Sequence, residues 1–308
     1  MKTGNTQYRF VLVTRKTRLQ ELVERFNTWP QARFYLEHNH ADVQDYLSEH
    51  DVYQQRLQEA ERVLRPLGRF QQLERRLLPN YQFSASDIVV VIGQDGLVAN
   101  TLKYLQGQPV IAINPDPQRW DGKLLPFVVN DLRDVVTCTM AGKADSKSIT
   151  FAEARTNDGQ VMRAVNDLFI GPSSHTSARY TLNWQGKREM QSSSGIIVST
   201  GFGSTGWFQS VLAGAMGVTQ AQHHALGGGF GWDEKRLQFS VREPFPSRTT
   251  GVELVFGAIT QQSPLRLESQ MPENGVIFSD GIEADYLGFN SGAVVSIGVA
   301  ETQGQLVC

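Results

Sequence analysis

Long apolar runs are missing from this 308-residue chain. The longest, such as residues 88–92, are strand-sized, so no segment is expected to span a bilayer. Cysteine is scarce. Its two copies, Cys138 and Cys308, lie far apart and form no C-x-x-C pair, which points away from a disulfide framework and towards a reducing, cytoplasmic compartment. Excess charge is also absent: 29 basic against 31 acidic side chains leave a net charge of -2, so no bulk field calls for nucleic acid or an anionic membrane. Residues 1–18 offer only Phe10-Val-Leu-Val13 as an apolar patch, too short for a secretory core, and no leader is expected. Familiar catalytic signatures are missing as well. There is no G-x-x-x-x-G-K-[ST] loop, Ser204 lies outside G-x-S-x-G because Phe202 takes the first glycine's place, and His223-His224 has no carboxylate at metalloprotease spacing. What remains, 40% hydrophobic and 19% charged, is the composition of a globular protein long enough for two domains.

The first half reads as α/β. Phe10-Val-Leu-Val-Thr14 is a strand, and Thr17-Arg-Leu-Gln20 is a capping box ahead of a helical stripe through Leu19, Leu22, Val23 and Phe26. Residues 51–78 are strongly helical in pattern, either a helix lining the domain or an exposed lid. His38, His40 and His50 fall in this polar region without diagnostic metal spacing, and solvated histidines are the plainer reading. From about residue 145 the texture changes. Seven short runs (161–170, 180–184, 195–199, 237–241, 252–256, 276–278 and 294–299) separated by turn signals predict a mostly β domain, with one helix over 208–216. The expected division is 1–145 and 146–308, the last residues being candidates to return to the first domain.

The chain is organised around Asp87-Ile-Val-Val-Val-Ile-Gly93-Gln94-Asp95-Gly96-Leu97. A β-branched strand ends at Gly93, turns, and enters a helical segment over 97–105. Gly93 and Gly96 permit a sharp turn with room for a bulky anion, next to the positive end of a helix. Asp95 at the tip either caps that helix or has chemical work, taking a proton from a hydroxyl or holding a metal ion. Pro109-Val-Ile-Ala-Ile-Asn114 completes a βαβ unit that places Asn114 beside the turn, where ligands bind at the carboxyl ends of parallel strands.

Two further stretches carry polar chemistry. Asn166-Asp167 interrupts an apolar strand, either as a bulge with satisfied hydrogen bonds or as an amide and carboxylate facing an adenine ring or ribose. Gly201, Gly203 and Gly206 satisfy G-x-G-x-x-G between a strand and a helix, but the loop-like 220–231 that follows lacks the expected strand and terminal acid of a dinucleotide-binding oxidoreductase.

In their order, Gly93-Gln94-Asp95-Gly96, Asn166-Asp167 and Thr200-Gly-Phe-Gly203-Ser204-Thr205-Gly206-Trp207 resemble the NAD kinase family. Arg242-Glu-Pro244 and Ser279-Asp-Gly281 continue the likeness more weakly, over roughly residues 86–300. The resemblance implies a Rossmann-like α/β domain followed by a β-rich domain, and a kinase that makes NADP from NAD and ATP with Mg²⁺. Asp95 would take the proton of the adenosine 2′-hydroxyl; Gly93, Gln94 and Gly96 would receive phosphates. Asn166 and Asp167 would bind the nucleoside portion. Thr200, Gly203, Ser204 and Thr205 would line the site with hydroxyl and backbone contacts, and Trp207 would present an aromatic face. No protein-held metal is implied, and a homo-oligomer, dimer or tetramer, is. Three positions depart from the family pattern: Gln94 for glycine, Leu97 for threonine, and Ser194 for aspartate. A non-catalytic NAD-binding sensor and a kinase for a lipid or sugar hydroxyl are the alternatives.

Overall fold

The computed structural model describes residues 8–308, and the chain forms two compact units: residues up to Lys147 together with Gln305–Cys308, and Ser148–Gly304.

The first unit is a parallel sheet covered by helices. β1 (Arg9–Thr14) leads through Thr17 into α1 (Arg18–Phe26), and the capping box between Thr17 and Gln20 is formed. α2 (Trp29–His38) and α3 (Val43–Leu64) follow, capped by Thr28 and Asp42 side chains. β2 (Arg69–Glu74) then pairs parallel with β1. This corrects the helical reading of 51–78, because α3 stops at Leu64 and Gly68 opens an edge strand. A Cβ on Gly68 would meet Tyr8 O and the Phe10 ring at 3.0 Å. β2 is polar and mostly exposed, so it carries none of the apolar alternation that announces a strand.

β3 (Asp87–Ile92), α4 (Asp95–Leu102) and β4 (Pro109–Ile113) make the expected βαβ unit, and α5 (Leu132–Met140) completes the helices. Strand order is β2-β1-β3-β4, all parallel, with Gln305 and Leu306 added beside Pro109 and Val110 of β4. Every residue of β3 is buried, which explains its unbroken β-branched run. The buried Asp87 carboxylate is neutralised by Arg9 of β1 in a fork of 2.8 and 2.7 Å bonds.

The second unit is a two-sheet sandwich built from β5 (Ser146–Thr156), β6 (Val161–Ala164), β7 (Asp167–Pro172), β8 (Ala178–Trp184), β9 (Lys187–Ser193), β10 (Ile196–Ser199), β11 (Leu237–Val241), β12 (Phe256–Ile259), β13 (Leu265–Ser269), β14 (Gly275–Ser279), β15 (Tyr286–Gly288) and β16 (Val294–Val307). Its single helix, α6 (Trp207–Thr219), follows β10. One sheet is antiparallel in the order β12-β11-β10-β7-β14-β15; in the other, β16-β13-β8-β9 is joined by β5 and β6. Leu168, Ile170, Val198, Phe239 and Ile277 of the first sheet share a core with Tyr180, Leu182, Leu267, Val295 and Ile297 of the second. Alternate residues of each strand meet there, as aligned sheet packing requires. The expected strand over 161–170 is two strands, β6 and β7, because Val165-Asn166 breaks the ladder. Residues 252–255 lie outside any strand; β12 begins at Phe256.

Candidate functional site

In the first unit the Gly93–Gly96 turn joins the carboxyl end of β3 to α4, and Gly93 N donates to Ile113 O of β4 at 3.3 Å. A Cβ on Gly93 would come within 2.9 Å of Leu97 Cδ2, so Leu97 fills the space over Gly93. Gln94 is extended (φ -113°, ψ 164°), a conformation any residue adopts, and its side chain does not cap α4. Replacing glycine there therefore costs no backbone strain. Gly96 is exposed in the first helical turn, with no atom within 4 Å of a Cβ position.

Asp95 is the first residue of α4 and is half-buried. Its carboxylate accepts the N–H groups of Lys123 (3.2 Å) and Leu124 (2.8 Å), which folds the segment after β4 back onto the turn. Asn114 shapes the same segment, donating to Trp120 O at 2.9 Å and accepting Asp116 N at 3.0 Å. Beneath the turn, the Tyr53 hydroxyl donates to Ile92 O (3.1 Å) and accepts Arg15 N (3.0 Å), locking the ends of β1 and β3 together. Burial pushes that phenol up to about 12. Arg15 lies over the Tyr53 ring and bonds Glu49 at 2.8 Å. Arg18 joins Glu49 to Asp45, and Arg119 reaches Asp45 from the segment after β4. Those two arginines hold Asp45 down to about 2.

In the second unit the other expected residues form one cluster. Thr200 N donates to Asn166 O at 2.9 Å, and the Thr200 hydroxyl bonds the carbonyls of Val165 and Asn166 while accepting Gly203 N at 3.1 Å. Gly203 lies so close that a Cβ would stand 2.0 Å from Asn166 O; only glycine fits. Ser204 is fully buried, its hydroxyl donating to Gly201 O (2.6 Å) and accepting Phe230 N (3.0 Å), so it braces the loop against residues 226–231. Thr205 is exposed. Trp207 is half-buried and stacks on Phe169, with ring centroids 5.8 Å apart, and the Arg242 guanidinium lies over the Trp207 ring, 5.6 Å from its centroid.

Asp167 opens β7 with its carboxyl buried; burial and the neighbouring negative charge of Asp280 push it up to about 7. Asp280 is the residue that sequence reasoning left out of the site. The only signal for it was the Ser279-Asp-Gly281 turn. His50 bonds the Thr17 hydroxyl at 2.9 Å and His224 Nδ1 accepts Leu226 N at 3.1 Å, both structural roles. Among the described residues no cluster of three or more metal-ligating side chains occurs, and no helix is long and apolar enough to cross a membrane.

No family model matches the chain, and no curated protein matches its sequence. Solved structures do match. A yeast NADH kinase complexed with NADH aligns with a TM-score of 0.60 at 15% identity, covering 99% of this chain and 84% of that one. The chain has the NAD kinase fold. An NAD kinase from Archaeoglobus fulgidus in complex with ATP aligns with a TM-score of 0.57 at 14% identity, covering 97% of this chain and 93% of that one. An α/β unit with a parallel sheet, followed by a mostly β unit, is common to the expectation and the structure.

Proposed function

We propose that this protein is a kinase that transfers the γ-phosphoryl group of ATP to the adenosine 2′-hydroxyl of NAD, giving NADP. The observation that carries the reading is Asp95: within an NAD kinase fold, a carboxylate stands at the N-terminus of α4, directly after the central parallel strand. Phosphoryl transfer asks a protein mainly for positioning, charge neutralisation and a proton acceptor. The Lys123 and Leu124 N–H groups fix the Asp95 carboxylate and leave it lone pairs with which to accept the hydroxyl proton. As the 2′-oxygen bonds to phosphorus, the bond to the ADP oxygen breaks and the proton passes to Asp95. The open space over Gly96 and the first-turn N–H groups of α4 suit a phosphate. Magnesium would be held by the ATP phosphates, neutralising their charge when bound.

Asn166 and Asp167 would take the NAD nucleoside. Thr200, Gly203 and Ser204 would keep that pair in place through the bonds described above, and Thr205 and Trp207 would offer a hydroxyl and an aromatic face. A second reading has a specific observation behind it: Leu97 fills the space over Gly93 and supplies no hydroxyl, which favours a non-catalytic NAD-binding protein.

The test is NADP formation from NAD, ATP and Mg²⁺, read with an NADP-specific dehydrogenase, beside Asp95→Asn. Activity in the parent with a loss of about a hundredfold or more in the variant supports the kinase and its base. Activity that survives in Asp95→Asn removes the base role. NAD binding without turnover in either protein selects the second reading.

A further inference from the structure

The bulge that carries Asn166 and Asp167 has almost no conformational freedom of its own. All three backbone N–H groups of residues 165–167 are taken by one side chain, Asp280, 113 to 115 residues away in sequence. Its Oδ1 accepts Asn166 N at 2.7 Å, Val165 N at 3.1 Å and Asp167 N at 3.4 Å, and Oδ2 also accepts Val165 N at 3.2 Å. Asp280 N returns a bond to Asp167 O at 3.0 Å, which closes the clamp from both sides. To make it, Asp280 adopts φ 55°, a left-handed conformation that costs little for aspartate. Opposite, Thr200 occupies the Val165 and Asn166 carbonyls. With the main chain saturated by two residues, only side-chain rotation remains to Asn166 and Asp167.

We propose that Asp280 is the positioning residue of the Asn166–Asp167 pair in the second unit, fixing through its carboxylate the main chain of 165–167 and with it the presentation of Asn166 and Asp167 to a pair of ribose hydroxyls. The assignment of that ligand rests on the kinase reading; the clamp itself does not. A carboxylate suits the place because three N–H dipoles converge on it, whereas the amide of an asparagine would turn one face of donors towards donors.

The clamp has an electrostatic consequence. Ser199 of β10 stands opposite Asp167, Ser279 ends the strand on its other side, and Arg163 of β6 bonds Glu153 at 3.2 Å. Burial does most to hold back ionisation of the Asp167 carboxyl, and the charge of Asp280 adds to it, so the residue that positions Asp167 also contributes to keeping it protonated. An ionised carboxylate accepts hydroxyl hydrogen bonds more strongly than a neutral one. NAD affinity is therefore expected to rise as pH increases through about 7.

The experiment compares the parent with Asp280→Asn and Asp280→Glu by amide hydrogen exchange and by NAD titration calorimetry from pH 5.5 to 8.5. Exchange at residues 165–167 is expected to speed about a hundredfold in Asp280→Asn while that of β3 in the first unit stays unchanged. NAD affinity should fall about tenfold with ATP affinity unaltered, and the pH midpoint of NAD binding should move down because the like charge is gone. Asp280→Glu keeps the charge, so it should lose affinity without moving the midpoint; it also carries the exchange test if Asp280→Asn does not fold. Unchanged exchange at 165–167 in a folded variant overturns the clamp. If the parent binds no NAD, the kinase reading fails, and the exchange result still decides the role of Asp280.

Discussion

Asp167→Asn should stabilise this protein, and by an amount that grows with pH. The buried carboxyl of Asp167 is held up to about 7 by burial first and by Asp280 second, against 3.8 for the free side chain. A group whose folded value is raised binds its proton more tightly in the native than in the unfolded chain. Its favourable contribution is complete below the unfolded value of 3.8 and is lost as pH rises through about 7. Asparagine has the same shape and no charge to bury, so it escapes that loss. Linkage puts the advantage of Asp167→Asn at about 2 kcal/mol at pH 5, about 4 kcal/mol at pH 7, and level above that. The assay is urea unfolding of parent and variant at pH 5, 6, 7, 8 and 9, with the difference plotted against pH. A difference that does not change with pH would refute the reasoning, because it would mean that Asp167 titrates alike in both states. The same substitution should weaken NAD binding at pH 8, the stabilising change being bought at the expense of the ligand.

Two more outcomes follow from close contacts. Gly203→Ala must push the Thr200–Thr205 loop off Asn166 O, which is backbone and cannot turn aside; a loss of about 3 kcal/mol is expected, read as a lower thermal midpoint together with lost NAD binding. An unshifted midpoint would mean that the loop does not pack on the bulge. Glu49 is buried between Arg15 (2.8 Å) and Arg18 (2.5 Å), and Glu49→Gln takes the counter-charge from Arg15 and leaves Arg18 with Asp45 alone, at a cost of about 3 kcal/mol in urea unfolding at pH 7. Burial acts to raise this carboxyl, but the bonds from Arg18 and Arg15 prevail and lower it below 4.5. Its contribution is thus present above 4.5 and fades as pH falls beneath it, so the cost of Glu49→Gln should shrink in acid.

What the chain disclosed in sequence and what it withheld divide along a physical line. Signals written within a few residues were legible: the Thr17/Gln20 capping box, the β-branched run of β3 with its glycine turn, and the change from helical stripes to short alternating runs near residue 145. β2 and β9 were not, because both are polar edge strands, and the positions β9 buries, Gln191 and Ser193, are themselves polar and so make no apolar period. The site divides in the same way. Asp95 is visible as a carboxylate at a turn, but the two N–H groups that hold it come from Lys123 and Leu124, 28 and 29 residues on. Asn166-Asp167 is visible as a polar break in an apolar strand, yet nothing local says whether that break is a defect or a fixture. Asp280 answers the question from more than a hundred residues away. A break merely tolerated would leave its three N–H groups to water. Here they converge on a carboxylate whose own charge adds to the burial that makes Asp167 harder to ionise, so satisfying the break carries a local cost. That local cost is accounted for if, as proposed, Asn166 and Asp167 are held in place for a nucleoside.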